Sequence, residues 1–380
     1  MKRILTLVAL LATTLAAAQM RSRSGYTADK VRYEYTEAAD LTLCGKLFPD
    51  TPVPYHRVDT TRFKGWTTWQ NFQVRAANGI IVAFRTNSTA ITLRPDYGEL
   101  YYGVTTNVLA HRGFDLYIKA VEKKGALTPS PDGKWIYAAS VAPAKDKEGS
   151  TLTLIRNMDD GMKECLLYLP LYSELHALKI GVEEGAVLEA LPNPFRHRVA
   201  TYGSSYTQGV SCSRAGMTYP AQFSRRTGIQ LVSLAMSGQC KMQPYSLAAL
   251  KAADAEAFLF DTFSNPSIAE IQERLFPFIE GMQAAHPGAP LIFQRTIYRE
   301  GRNFDKGAER AEQGRIDVAD SLMAIACKRY KDVYYIRTDA AEKDHETSVD
   351  GIHPSDYGYQ LWERSIEKRV LRILRKYGIR

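Results

Sequence analysis

Two rhythms of apolar and polar positions divide the chain. From about residue 27 to 190, apolar residues fall in short runs between turns. "GIIVAFRTNSTAITLRP" holds two β-rich runs around an Asn-Ser turn; "GFDLYIKAV", "KWIYAASV", "STLTLIRN", "CLLYLPLY" and "HALKIGV" come after it at short intervals. A period of two lets a strand bury one face, so this half predicts an all-β sandwich. No helical periodicity and no internal repeat emerge there. The proline-bearing stretch "EALPNPFRHR" (189–198) reads as a linker.

Beyond the linker the rhythm becomes strand, loop, helix. "RVATY" precedes a predicted helix around 217–226, and "IQLVSLAM" one around 242–252. "AEAFLFDTF" leads to 268–285, "PLIFQRTI" to 306–329 and "DVYYIRT" to 357–376. Apolar runs alternating with amphipathic helices predict a parallel sheet covered on both faces, an α/β unit over 195–380. In such sheets ligands collect beyond the carboxyl ends of the strands.

The residues just past each strand are therefore informative. The first strand ends at "GSS" (203–205), the second at "SGQC" (237–240), and the third runs into "TFSNP" (262–266). The last leads into "KDHETSVDGIHPSDYG" (343–358). Each motif alone reads as ordinary turn or cap chemistry. Together, on one rim, they supply the parts of nucleophilic catalysis. A serine hydroxyl attacks only when a base takes its proton, and a histidine base needs a carboxylate to fix its tautomer. Asp350 and His353, three residues apart, can meet locally. Ser205 and Gly238 backbone N–H groups and the Asn265 amide can face a developing oxyanion.

The start of the chain adds a compartment. "MKRILTLVALLATTLAAAQM" has a basic beginning, an apolar core from Ile4 to Ala18 and small residues at Ala16–Ala18. That pattern predicts a signal peptide over 1–18 and an exported protein, periplasmic or secreted if bacterial. The apolar run falls short of the ~20 residues of a membrane span, and no later segment is long and apolar enough. The formal charge is +8, but the basic residues are scattered, so no nucleic-acid footprint is expected. Five cysteines are too few for a disulfide scaffold and odd in number. No zinc spacing occurs, and no cofactor is expected.

These blocks resemble the SGNH/GDSL-type hydrolases, in the branch with an N-terminal Gly-x-Asp-Leu-Tyr domain. "YGSSYTQG", "MSG", "FSNP" and "DGIHP" are similar to the family's four blocks, and "RGFDLYIK" carries the signature at Gly113–Tyr117. The resemblance covers nearly all of the chain after the signal. It implies a β-sandwich accessory domain over 27–190 and an α/β/α domain of flavodoxin-like order over 195–380. It also implies a serine esterase without cofactor or metal. Ser205 would be the nucleophile, His353 the base and Asp350 its orienting carboxylate. The Ser205 and Gly238 N–H groups and Asn265 would form the oxyanion hole. Many relatives remove short acyl groups, often acetyl, from carbohydrates. Ser204 stands where aspartate is commoner, Gln239 where Gly-Asn is, and "FSN" where Gly-x-Asn-Asp is.

Other readings stay open. A non-catalytic glycan binder on the same fold is one; a metal-dependent hydrolase using Asp344, His345, Glu346, Asp350 and His353 is another. Trp66 and Trp69 could stack on a sugar or fill the sandwich. Asp115 and Tyr117 are expected to pack the two domains together. Cys212 and Cys240 fall at the same rim and are either joined or two buried thiols.

Overall fold

The computed structural model describes residues 31–100, 103–144, 147–340 and 345–380. The expected signal, residues 1–18, lies outside them. The alternating runs build two antiparallel sheets. One has the order β1 (Tyr33–Glu37), β10 (Ser173–Glu183), β4 (Ile91–Leu100), β8 (Leu152–Ile155). The other has β11 (Leu188–Ala190), β3 (Ile81–Thr86), β9 (Lys163–Tyr168), β5 (Phe114–Lys123), β6 (Ala126–Pro129). β2 (Thr42–Cys44) pairs with β3, and β7 (Lys134–Val141) with β5. Val82, Phe84, Leu116 and Leu167 from one sheet meet Leu93 and Ile180 from the other in one apolar core.

Besides its strands this half holds two short helices, α1 (Thr68–Arg75) and α2 (Val108–Arg112), and one expectation, the linker, needs correction. Both helices are too short for a 3.6-residue apolar stripe to build up, and their starts are fixed by caps instead. Thr67 and Gln70 form a reciprocal capping box, and the Asn107 side chain accepts from the Ala110 N–H. The linker is shorter than 189–198. Leu188–Ala190 pairs with β3, and the next strand already starts at Arg196.

The C-terminal half is a parallel sheet in the order β13 (Ile229–Ala235), β12 (Arg196–Gly203), β14 (Ala257–Asp261), β15 (Leu291–Gln294), β16 (Val333–Ile336). β13, β14 and β15 are buried along their whole length, which explains their continuous apolar character. After α3 (Ser205–Gln208) come α4 (Tyr219–Thr227), α5 (Pro244–Lys251), α6 (Ile268–Ala285), α7 (Lys306–Arg329) and α8 (Asp356–Arg375). The order 2-1-3-4-5 puts the winding reversal at β12, between β13 and β14, and opens a crevice beyond their carboxyl ends. One apolar cluster joins the halves, with Tyr117, Tyr168 and Phe195 continuous with Tyr206, Tyr219 and Trp362.

Candidate active site

β12 ends at Gly203, where the chain turns directly into α3. A Cβ on Gly203 would lie 2.0 Å from the Thr207 Oγ1, so no other residue lets the turn close this tightly. Ser204 caps the short helix by accepting from the Tyr206 N–H. Ser205, its first residue, is 8% exposed and looks into a cleft of about 430 Å³.

His353 arrives from the far edge of the sheet. Its Nε2 is 3.0 Å from the Ser205 Oγ, and its Nδ1 is 2.8 Å from the Asp350 Oδ2. Because an ionised Asp350 only accepts, the network assigns the proton to Nδ1 and leaves Nε2 to accept from the serine hydroxyl. The other Asp350 oxygen accepts the backbone N–H groups of Ile352 (2.9 Å) and His353 (2.7 Å). Partial burial works against the charge, but the hydrogen bonds from the His353 ring and backbone hold the Asp350 carboxyl below the usual range. Tyr206 braces the imidazole edge-on at 5.7 Å and itself packs on Trp362.

Gly238 and Asn265 line the same cleft. Gly238 has φ +71°, a conformation that costs glycine little. The Asn265 Nδ2 donates to the Gln239 carbonyl (2.9 Å), which leaves its second hydrogen available. Among the described residues, neither the Ser205 nor the Gly238 N–H has a protein acceptor. The rim drawn from the sequence is thus one place: Ser205, Gly238, Asn265 and His353 surround a single space, with Asp350 behind His353.

Several site residues carry no motif. Asp261, the last residue of β14, is 2% exposed. Its Oδ2 accepts from the Ser204 N–H (3.0 Å), the Ser204 hydroxyl (2.7 Å) and the Thr207 hydroxyl (3.0 Å), and its Oδ1 from Ser264 (2.9 Å). Burial pushes this carboxyl above its ordinary range despite those donors. A charged residue closing the apolar run "AFLFD" was the available signal. Arg57, fully buried, donates to the Ala235 carbonyl (2.9 Å) and to Gln73. The Gln73 Oε1 accepts the Ser237 N–H (2.5 Å), so the N-terminal half grips the loop that carries Gly238. Nothing local in the sequence marks either residue.

The N-terminal half also supplies one wall of the cleft through Trp69, Thr106 and Tyr172. Trp69 is 38% exposed and stacked on Phe72, whereas Trp66 is buried against Tyr245. Asp115 accepts from Arg214 (2.8 Å) and the Gly216 N–H (2.8 Å), and the Tyr117 hydroxyl accepts from Arg214 (2.6 Å), so the signature does join the halves.

Two alternatives lose ground. Cys212 and Cys240 are both buried, free thiols; Cys240 contacts the Gly203 carbonyl and Cys212 the Arg214 carbonyl. The metal ligand set divides: His345 pairs with Glu300 (2.6 Å) and His353 with Asp350, while Asp344 lies outside the described residues. Among the described residues no group of three or more His, Cys, Asp or Glu is placed to hold a metal. No helix among them is long and apolar enough to cross a membrane.

Comparison with known proteins agrees with this architecture. Residues 196–372 match the GDSL-like lipase/acylhydrolase family, and residues 33–188 match the family described as the N-terminus of SGNH-hydrolase-type esterases. A GDSL-like lipase from Bacteroides ovatus ATCC 8483 is 33% identical with a TM-score of 0.83, over 90% of this chain and 98% of that one. A salicylyl-acyltransferase from a tetracycline biosynthetic pathway shares the fold at 16% identity and TM-score 0.67, over 92% and 99% of the two chains. A family two carbohydrate esterase from Cellvibrio japonicus does so at 11% and 0.55, over 91% and 99%. No curated protein matches the chain significantly.

Proposed function

The chain belongs to the GDSL-like lipase/acylhydrolase family, in the SGNH-type esterase branch with the N-terminal Gly-x-Asp-Leu-Tyr domain, and we propose that it is an exported serine esterase removing short acyl groups, acetyl foremost, from carbohydrates. The observation that carries the reading is the line Asp350–His353–Ser205, closed at 2.8 and 3.0 Å, with Ser205 and His353 lining an open cleft. In this reading His353 takes the Ser205 proton through Nε2 as Oγ attacks the ester carbonyl carbon. Asp350 holds the imidazole in register and offsets the imidazolium charge. The tetrahedral oxyanion meets the Ser205 and Gly238 N–H groups and the free hydrogen of the Asn265 amide. His353 then returns the proton to the departing alcohol, which leaves Ser205 acylated. Water, deprotonated by the same imidazole, attacks the acyl-enzyme; its collapse restores the serine and releases the acid.

Two features favour a carbohydrate ester. A cleft of about 430 Å³ lies in the range that holds a small ligand. Exposed Trp69 on its wall offers a face for a sugar ring. The family two carbohydrate esterase shares the two-part architecture. Export rests on the signal-like start from Lys2 to Ala18. The test is acetate release from a panel of acetylated glycans. Release that disappears in Ser205→Ala supports the reading; release undiminished in that variant contradicts it.

A further inference from the structure

The segment Gly209–Met217 runs between α3 and α4 and touches both sides of the catalytic pair. It leaves the nucleophile's helix with the Gly209 and Val210 N–H groups on the Ser205 carbonyl (2.9 and 3.0 Å). At Ser213 it binds the start of α8, the N–H reaching the Asp356 Oδ1 (2.8 Å) and the hydroxyl the Oδ2 (2.5 Å). The Tyr359 hydroxyl returns to the Val210 carbonyl (2.7 Å). Asp356 and Tyr359 sit in the first turn of the helix that begins just after His353. The segment is therefore a strap between the Ser205 turn and the His353 turn.

One carboxylate of the other half holds the strap. Asp115, on β5, is 0% exposed, and its Oδ2 alone accepts from Arg214 and from the Gly216 N–H. The strap comes so close that a Cβ on Gly216 would lie 2.6 Å from that oxygen. Tyr117 and Thr106 add further ties, the Tyr117 hydroxyl accepting from Arg214 (2.6 Å) and the Thr106 hydroxyl oxygen accepting the Ser211 N–H (3.1 Å). Adhesion between the halves does not require a charge here, because Tyr117, Tyr168 and Phe195 already provide an apolar joint. A buried carboxylate is costly unless its partners are well placed, and its return is directional.

We infer that Asp115 is a positioning residue for the proposed Ser205–His353 pair, fixing their spacing by anchoring the strap from across the domain boundary. The inference rests on the serine-esterase reading. It gives the Gly-x-Asp-Leu-Tyr signature a role in turnover and not only in packing. Small misplacements of reacting groups cost rate more than binding.

The test compares wild type with Asp115→Asn, Ser213→Ala and Ser213→Thr, using 4-nitrophenyl acetate as substrate. Sites are counted by labelling with a fluorophosphonate, so that rates refer to folded, competent protein. kcat per labelled site should fall on the order of ten- to a hundredfold in Asp115→Asn and Ser213→Ala, with KM within about twofold of wild type. Ser213→Thr, which keeps the hydroxyl, should recover most of the rate. Should Asp115→Asn fail to fold, Arg214→Gln, which breaks the same tie from the partly exposed strap, carries the comparison and should show the same fall in kcat. An unchanged kcat per labelled site, even with fewer sites or a lower Tm, would overturn the inference. A wild type that is neither labelled nor active would overturn the esterase reading itself, and the inference with it.

Discussion

The hydroxyl of Ser204 donates to the Oδ2 of Asp261 (2.7 Å) and accepts from the Tyr206 N–H, so its proton is committed to holding the turn. Its neighbour Ser205 instead faces His353 across 3.0 Å. Adjacent serines therefore have separate partners: Ser204 holds the turn, and Ser205 is the one proposed to attack.

Ser204→Ala removes a helix cap and a donor to a buried carboxylate. The cap alone is worth about 1 kcal/mol, and the lost hydrogen bond to Asp261, whose Oδ2 keeps the Ser204 N–H and the Thr207 hydroxyl, about 1 kcal/mol more. Chemical denaturation should register that loss, while kcat stays within about tenfold of wild type because the Ser205 partners persist. A collapse of activity as deep as that of Ser205→Ala would contradict the assignment.

The reach of the sequence is clear from particular elements. α6 begins and ends where its pattern predicted, because Ser267 and Glu270 form a capping box ahead of a long amphipathic run. Strand ends in the C-terminal half carry glycine, serine, asparagine and histidine in a recognisable order, so the rim of the site is legible in the chain itself. α1 has the same kind of cap at Thr67 but only eight residues, too few for its periodicity to speak. Arg57 and Asp261 act through partners that only the fold brings near. The Arg57 hydrogen bond to Ala235 spans 178 positions, and the Asp261 bond to Ser204 spans 57. Local pattern encodes periodicity and turns; it does not encode which distant carbonyl a guanidinium will meet.

Cysteine chemistry separates the buried from the exposed. Burial pushes the thiols of Cys44 and Cys165 up to about 12, and those of Cys212 and Cys240 also rise. Cys327 is exposed. A thiol reagent at neutral pH should modify Cys327 alone in the folded protein and all five cysteines in denaturant. Fewer than five reactive thiols under non-reducing denaturation would reveal a disulfide.

Stability should depend on pH through Glu363. Burial, with Glu367 adjacent, pushes its carboxyl up to about 8 from an ordinary value of 4.5, against the pull of Arg226 at 3.2 Å. Between those values the folded chain holds a proton that the unfolded chain has released. The contribution is thus complete below about pH 4.5 and is lost as pH rises through about 8. Tm should fall from pH 5 toward 8 more steeply in wild type than in Glu363→Gln. Parallel slopes would show that Glu363 is not the group responsible.

Trp69 tests the carbohydrate assignment. If its exposed face carries a sugar ring, Trp69→Ala should raise KM for an acetylated glycan roughly fivefold, about 1 kcal/mol, with kcat little changed. KM for 4-nitrophenyl acetate should hardly move. An equal effect on both substrates would remove the stacking role.

The proposed chemistry turns on Ser205 as an activated nucleophile, and covalent labelling measures that directly. Folded wild-type protein treated with a fluorophosphonate should gain one adduct in its intact mass, mapped by peptide sequencing to Ser205, with activity lost in proportion. Labelling should vanish in Ser205→Ala and persist in Ser204→Ala. An adduct on Ser204, or a folded, active wild type that takes no label, would contradict the assignment.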